Sequence, residues 1–112
     1  IKGSGLGGRN QEMALAFLNE LKDLPEAEPA ADGSRPEIYF LSGGTDGNDG
    51  PTDAAGAFAA VEIASAGEQK DLKIQDFLDN NDSYNYFKQT GGLLITGPTN
   101  TNVCDVQILI VV

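Results

Sequence analysis

The segment 41–53 carries most of the side chains that could do chemistry. It reads Leu-Ser-Gly-Gly-Thr-Asp-Gly-Asn-Asp-Gly-Pro-Thr-Asp and continues the short apolar run that begins at Ile38. A surface turn needs only one or two turn residues, and this segment has many more. In open α/β sheets, ligands bind at the C-terminal ends of strands. The pattern therefore predicts a ligand-binding loop that follows a buried strand.

Asp46 and Asp49 are the candidate carboxylates of this loop. A calcium loop of the EF-hand type is excluded by the spacing, because Gly50 falls where a ligand is needed and no Glu follows correctly. Magnesium held by one or two carboxylates together with substrate phosphate fits better, with Asp46 as a possible ligand. The alternative is a turn that caps a following helix through Asp53 or Thr52, which explains Asp46 less well.

A second candidate site precedes the first predicted helix. Gly3, Gly5 and Gly8 satisfy G-x-G-x-x-G, but no strand precedes them and no acidic residue follows at the usual distance. A flexible connector is the alternative. Arg9 and Asn10 stand at the start of the helix, where a guanidinium beside helix amides can hold phosphate or carboxylate. The alternative for Arg9 is an exposed surface arginine.

Composition narrows the class of partner and of chemistry. The 112 residues suit one domain, and 17 acidic against 7 basic residues give a net charge of −10. This charge argues against nucleic acid and against a membrane surface as partners. The chain has no His and a single Cys104. A Ser-His or Cys-His nucleophile is therefore excluded within the chain, zinc is disfavoured, and a reducing compartment is expected.

The elements that must position these residues alternate between helix and strand. Asn10 is the expected N-cap of the first helix. Its expected buried face consists of Met13, Phe17, Leu21 and Leu24, with Leu18 beside them. Segment 25–36 is expected to be a mobile loop. The predicted helices are 10–24, 53–60, 61–69, 74–78 and 82–89, and the predicted strands are 38–42, 93–96 and 103–112.

This order predicts an α/β fold, a layered αβα domain with a small mixed sheet. Gly56 is expected to allow close packing of its segment. Loop 97–102 leaves a strand as loop 43–53 does, so the two loops would meet at one edge of the sheet if their strands are neighbours. The alternative for loop 97–102 is a long hairpin turn. The chain opens without Met, on Ile-Lys and a glycine loop, so we expect a piece of a longer protein.

Several separated motifs together resemble the MOFRL domain, the C-terminal domain of class II glycerate kinases. The family is also known in bacteria as hydroxypyruvate reductase. The motifs occur in order over nearly the whole chain, in segments 8–12, 42–47, 49–56, 81–84 and 96–105. Segment 25–36 is not explained by the resemblance. Asn100 stands where the family pattern has Gly, and Asn is the residue that best replaces Gly at positive φ.

The resemblance implies ATP-dependent transfer of a phosphoryl group to D-glycerate, with magnesium. It also implies a larger N-terminal domain, with the active site in the cleft between the two, so the isolated domain is expected to be inactive. By resemblance, Arg9 would face the transferred phosphate or the substrate carboxylate. Asp46 would orient or deprotonate the glycerate hydroxyl, or bind magnesium. The supporting polar contacts would be Asn10, Thr45, Asp49, Thr101 and Asn102.

Two other functions stay open on the sequence. A hydroxypyruvate reductase would need a complete dinucleotide fingerprint, which the chain lacks. A non-catalytic module would use its acidic loops to bind a metal or a partner. The expected compartment is the cytoplasm, with the mitochondrion as the alternative.

Overall fold

The fold was analysed in a computed structural model, which describes residues 5–22, 37–99 and 104–112. Two of the expected site residues, Thr101 and Asn102, lie outside the described residues, as do Asn100, Gly3 and the expected loop 25–36. In chain order the elements are α1 (Arg9–Lys22), β1 (Ile38–Gly44), β2 (Gly56–Ala59), α2 (Val61–Gln69), α3 (Ile74–Asp79), α4 (Ser83–Thr90), β3 (Leu93–Leu94) and β4 (Asp105–Val111).

The sheet has four strands in the order β3-β2-β1-β4, and each neighbouring pair is antiparallel. The predicted α/β class is confirmed, but the expectation of a mixed sheet is wrong. A parallel neighbour for β1 would need a crossover connection, usually a helix. Here β1 and β2 are joined by a loop without a helix, and they pair antiparallel. Strand β4 also pairs antiparallel with β1, so that Leu41 lies opposite both Phe58 of β2 and Ile108 of β4.

The helix predicted over 53–60 is wrong, because its second half is strand β2. Alanine favours helices in isolation, but tertiary packing overrides this preference. Ala57 and Ala59 are fully or almost fully buried in the core beneath the helices. Gly56 does allow close packing, but between strands, because a Cβ there would lie 1.9 Å from the carbonyl oxygen of Ser42.

The helices lie on one face of the sheet, with α1, α2 and α4 in contact with its strands and α3 packed on α1 and α4. The buried cluster joins Leu15 of α1, Ala64 of α2, Ile74 of α3 and Phe87 of α4 with the alanines of β2. The expected third layer is therefore absent from the described residues, and the αβα arrangement is wrong in this respect. On the other face, Phe58 and Ile108 remain 39% and 47% exposed.

The predicted buried face of α1 is confirmed in part. Leu18 is fully buried, and Phe17 and Leu21 pack half-buried against the core, but Met13 is 46% exposed. Ala14 and Leu15, which were not predicted, are also fully buried, and Leu24 lies outside the described residues. Phe17 stacks on Phe40 of β1 with ring centroids 4.5 Å apart. Within the described segments, no helix is long and apolar enough to cross a membrane.

Candidate functional site

The loop that follows β1 is fixed at its beginning by the start of β4. The backbone N–H and the hydroxyl of Thr45 both donate to the carbonyl oxygen of Cys104, at 3.1 and 2.7 Å. Gly44 lies opposite Asp105 in the antiparallel register. The C-terminal end of β1 and the N-terminal end of β4 therefore form one edge of the sheet.

The loop that follows β3 reaches the same edge, as the sequence predicted. The Thr99 hydroxyl donates to the carbonyl oxygen of Thr45. Gly47 has a φ of 87°, and a Cβ there would lie 2.1 Å from the carbonyl oxygen of Gly97. The strands themselves are not neighbours, since β2 lies between them. Because β1 and β3 are both antiparallel to β2, they run in the same direction and end at the same edge.

Asp49 lies in the loop after β1, 39 residues beyond Asn10 in the chain, and it caps the N-terminus of α1 from a buried position. Its side chain accepts hydrogen bonds from the backbone N–H groups of Asn10 and Gln11, at 3.0 and 2.8 Å. The amides of the same two side chains also donate to it, at 3.3 and 2.9 Å. A carboxylate is stabilised at this end of a helix by unsatisfied N–H groups and by the helix dipole. The expected N-cap, Asn10, is wrong, since Asn10 lies inside the first turn.

Asn10 joins three elements through its side chain, which is 2% exposed. Its Nδ2 donates to Asp49 and to Asp105, the latter at 3.1 Å. Its Oδ1 accepts a hydrogen bond of 2.7 Å from the Ser42 hydroxyl of β1. The geometry gives Asn10 and Asp49 a structural role at the base of the site. Their expected contact with substrate stays a prediction.

Arg9 lies above this base on the surface, held by Asp105. Its Nε and Nη2 donate to the two carboxylate oxygens of Asp105 at 2.5 and 3.1 Å. The Arg9 side chain is nevertheless 79% exposed. The guanidinium, followed by the Asn10 amide, lowers the pKa of Asp105, and the same hydrogen bond to Asp105 raises the pKa of Arg9. Arginine carries five N–H donors, so an oriented guanidinium retains donors for an anion.

Asp46 is exposed at the turn after β1. Its Oδ1 accepts a 3.0 Å hydrogen bond from the backbone N–H of Asn48, which fixes the carboxylate relative to the loop. The described parts of the chain show no ion pair to Asp46. The Asp53 carboxylate, expected to cap a helix, instead accepts a 2.8 Å hydrogen bond from the Tyr84 hydroxyl. The helix-capping alternative is wrong, because β2 follows in place of a helix.

The carboxylates fit a magnesium ion that is bound mainly by its substrate. No group of three or more His, Cys, Asp or Glu side chains in the described residues could hold a metal ion. Magnesium usually retains several waters and binds through one or two carboxylates together with substrate phosphates. One exposed carboxylate, Asp46, meets that requirement. A dedicated protein cage of the calcium type would need more oxygen ligands than this.

Sequence reasoning gave no role to several residues that build the site. Asp105 orients Arg9, and the Gln11 side chain links Asp49 to the Thr52 hydroxyl, at 3.0 Å. Asp105 could have been recognised as the one charged residue at the head of an apolar strand. Gln11 carries no such signal, because its partners lie 38 and 41 residues away.

The glycine segment before α1 is held against the turn between α3 and α4. The backbone N–H of Leu6 donates to the Asp82 carboxylate, and the carbonyl oxygen of Leu6 accepts from the N–H of Tyr84, both at 2.9 Å. Gly5 donates to the carbonyl oxygen of Asn80, also at 2.9 Å. These hydrogen bonds hold the segment in place, and the segment therefore fixes the start of α1, where Arg9 lies.

The described residues form an α/β domain of four helices and four strands. One end of its sheet carries Arg9, Asp105 and Asp46, which we call the Arg-Asp rim. The sequence profile of the MOFRL family matches residues 1–105. The chain therefore belongs to the MOFRL family.

Several proteins similar to this chain are named glycerate kinase. Rat glycerate kinase is 46% identical over 113 residues, which cover 98% of this chain and 20% of the rat protein. The D-glycerate 2-kinase of Thermotoga maritima is 46% identical over 112 residues, which cover 100% of this chain and 24% of that protein. The crystal structure of Thermotoga maritima glycerate kinase superimposes with a TM-score of 0.85 and 43% identity, again over 100% of this chain and 24% of that one. The chain thus spans a fifth to a quarter of the length of these relatives.

Proposed function

We propose that this chain is one domain of an ATP-dependent glycerate kinase and forms one wall of a cleft in which phosphate is transferred from ATP to D-glycerate. The relatives that match its whole length are named for glycerate kinase activity. Those names favour a kinase over a hydroxypyruvate reductase. Because the chain spans only 24% of the Thermotoga maritima enzyme, the rest of the active site would come from the remaining polypeptide.

The observation that carries the proposal is an exposed cation and an exposed carboxylate at the same edge of the sheet, both on fixed backbone. Arg9 begins α1, which Asp49 anchors to the loop, and Asp46 lies three positions before Asp49 in that loop. Phosphoryl transfer needs alignment and charge neutralisation more than covalent assistance by the protein. A rigid mounting for the two groups supplies that alignment.

In this proposal Asp46 accepts a hydrogen bond from the glycerate hydroxyl and orients its oxygen towards the γ-phosphorus. It takes the hydroxyl proton as the new phosphorus–oxygen bond forms and the bond to ADP breaks. Arg9 contacts the oxygens of the transferred phosphoryl group or the glycerate carboxylate. Mg²⁺, which Asp46 would help to hold together with substrate phosphate, would supply neutralisation of the phosphate charge.

Asp105 acts as the counter-ion that keeps Arg9 in place before substrate arrives. The net charge of −10 would otherwise repel the anionic substrates, so local cations must attract them. With two of its N–H groups on Asp105, the guanidinium is oriented but still 79% exposed. The contact with an incoming anion then requires little reorganisation of the side chain.

The proposal is tested with Asp46→Asn and Arg9→Ala in the full-length protein, measuring ATP-dependent phosphorylation of D-glycerate. Removal of a general base typically slows a reaction by about 10²- to 10⁴-fold, so we expect a loss in this range for Asp46→Asn. Arg9→Ala is expected to lose about 10²- to 10³-fold, as for a donor that stabilises charge in the transition state.

The matched control is Asp53→Asn, which removes another exposed carboxylate from the same loop. Its only described role is a hydrogen bond with Tyr84, so activity within about 2-fold of the parent protein is expected. Circular dichroism and thermal unfolding verify that all three variants are folded. Near-normal turnover in folded Asp46→Asn and Arg9→Ala proteins would refute the site assignment.

A further inference from the structure

Among the described residues, nothing covers the face of the sheet opposite the helices, and this face is apolar. We call it the bare face and define it by Tyr39, Leu41, Phe58, Ile108 and Ile110. Tyr39 lies opposite Ile110 across β1 and β4, and Leu41 lies between Phe58 and Ile108, so the five side chains form one block. The four larger exposures are 36% for Tyr39, 39% for Phe58, 47% for Ile108 and 49% for Ile110.

Two hollows indent this surface. One of about 300 Å³ is lined by the bare face together with Phe40, Ala59 and Ala60. A second of about 200 Å³ shares Leu41 and continues over Gly43, Val106 and Leu94 towards Thr45. Neither hollow has a charged lining residue, although the chain has a net charge of −10. The absence of charge is typical of surfaces that are buried permanently.

Strand β4 is an outer strand of the sheet, beside β1, and it continues the same exposed surface. Within the described segments it pairs with β1 alone, and all seven of its residues are exposed. Soluble proteins usually protect an edge strand with charges, proline, a bulge or a covering segment. After Asp105, β4 reads Val-Gln-Ile-Leu-Ile-Val and has no charge and no proline. A covering segment is the protection that remains.

We propose that the bare face and β4 are the docking surface for the rest of the parent polypeptide, which covers them within the same chain. This rests on the part of the proposed function that makes the chain one domain of a longer enzyme. In the Thermotoga maritima crystal structure, a fold with a TM-score of 0.85 to this one makes up 24% of a single polypeptide. A tethered segment reaches an effective concentration of about millimolar, which a second copy of the chain would not match.

The docking surface also determines where the cleft lies. The second hollow ends at Gly44, Thr45 and Thr99, beside the turn that carries Asp46. A segment that covers the bare face therefore ends next to the Arg-Asp rim. The junction between the cover and the loop after β1 forms the opposite wall of the cleft.

The test is thiol labelling of the full-length protein in which Cys104 and any cysteine outside this chain are replaced by Ser. Single cysteines are introduced by Ile108→Cys or Phe58→Cys on the bare face, and by Ser65→Cys on the exposed side of α2 as the matched control. The maleimide reaction rate of each folded variant is divided by its rate in urea. We expect at least 100-fold protection at positions 108 and 58, and less than 10-fold at position 65.

Labelling at positions 108 and 58 as fast as at position 65, in proteins with unchanged circular dichroism, would overturn the proposal. Protection that disappears on 100-fold dilution would also overturn it, because a second copy would then be the cover. Amide hydrogen exchange of the unmutated full-length protein gives an independent measurement. In an edge strand, every second N–H group faces away from the neighbouring strand. If β4 is covered, exchange should be slow throughout Asp105–Val111. If β4 is not covered, exchange should be fast at every second residue.

Neither measurement depends on catalysis. Loss of protection with normal kinase activity would remove the docking surface and leave the proposed function intact. Protection at positions 108 and 58 together with normal activity in Asp46→Asn would refute the site assignment and leave the docking surface intact.

Discussion

Asp46 and Asp49 are three positions apart in one loop and have opposite environments. Asp49 is 2% exposed, and four N–H groups donate to its carboxylate. Asp46 is exposed, with one described hydrogen bond, from the N–H of Asn48. Saturated hydrogen bonding leaves Asp49 little capacity for a ligand. The hydrogen-bond donors around Asp49 therefore give it a structural role in the loop, whereas the exposed Asp46 can contact a ligand.

The largest effect that this comparison predicts is on stability. Asp49→Ala should lower the free energy of unfolding by about 3 kcal/mol, because it leaves buried N–H groups of α1 without an acceptor. Urea unfolding measures this change. Asp46→Ala is the matched control and should change stability by less than about 0.5 kcal/mol. Similar losses in both variants would mean that the two carboxylates do not differ in the way described.

The next effect concerns the orientation of Arg9. Arg9→Lys keeps the charge but cannot form the paired contact with Asp105, so activity in the full-length protein should fall about 10- to 100-fold. The measurement is kcat/KM for glycerate and for ATP. Asp105→Asn should give a loss in the same direction, with a larger change in KM than in kcat. Normal kinetics for both variants would show that positive charge alone suffices at this position.

Glu12 offers a third carboxylate environment and a pH test. Among the described residues, its buried Oε1 has no hydrogen-bond partner. Burial raises the pKa of Glu12, and a side-chain hydrogen bond with Asn81 opposes this shift. The folded state therefore holds the proton more tightly than the unfolded state, so stability is lost as pH rises above the ordinary pKa of glutamate. Glu12→Gln should be more stable than the parent at pH 7, by less than about 1 kcal/mol because solvent screens a partly buried group.

Thermal unfolding of the parent and the Glu12→Gln variant at pH 4 and pH 7 measures this difference. The two proteins should be nearly equal in stability at pH 4, where Glu12 is protonated. An equal difference at both pH values would contradict the role of burial.

The smallest effect is expected at the exposed pair of Tyr84 and Asp53. The hydrogen bond from the Tyr84 hydroxyl, which raises the pKa of Tyr84, lies on the surface. Tyr84→Phe should leave the midpoint of urea unfolding almost unchanged, because solvent can replace an exposed hydrogen bond. A titration of tyrosine absorbance would show the loss of one group with a raised pKa. A clear fall in the urea midpoint, comparable to that of Asp49→Ala, would instead give Asp53 a structural role like that of Asp49.

Much of the edge could be predicted from local sequence. The apolar run at Ile38 followed by the glycine-rich segment identifies a strand and the loop it enters, and β1 does end there. Loop 97–102 shows the same pattern, and the contact between Thr99 and Thr45 confirms that the two loops meet. The position of each strand end and its loop depends on residues that are adjacent in the chain, which sequence patterns describe well.

The roles set by distant neighbours could not be predicted. Ala57 and Ala59 are typical of a helix, and only their position beneath the helices explains why a strand of small residues is needed there. Asp49 looks like a turn residue, because its donors lie 38 and 39 residues earlier. The missing third layer has the same origin, since periodicity does not show on which face of the sheet a helix packs.

The pairing of Arg9 with Asp105 spans 96 positions of the chain. During synthesis on the ribosome, α1, β1 and β2 emerge well before β4, so early intermediates contain the loop but lack the counter-ion of the guanidinium. Contacts so distant in sequence form late and slowly. A chain that stops before residue 105 would keep its acidic loop but lose the orientation of Arg9. In the proposed function, the guanidinium that would meet an anionic substrate is thus oriented only after β4 has paired with β1, so binding would depend on the docking of this strand.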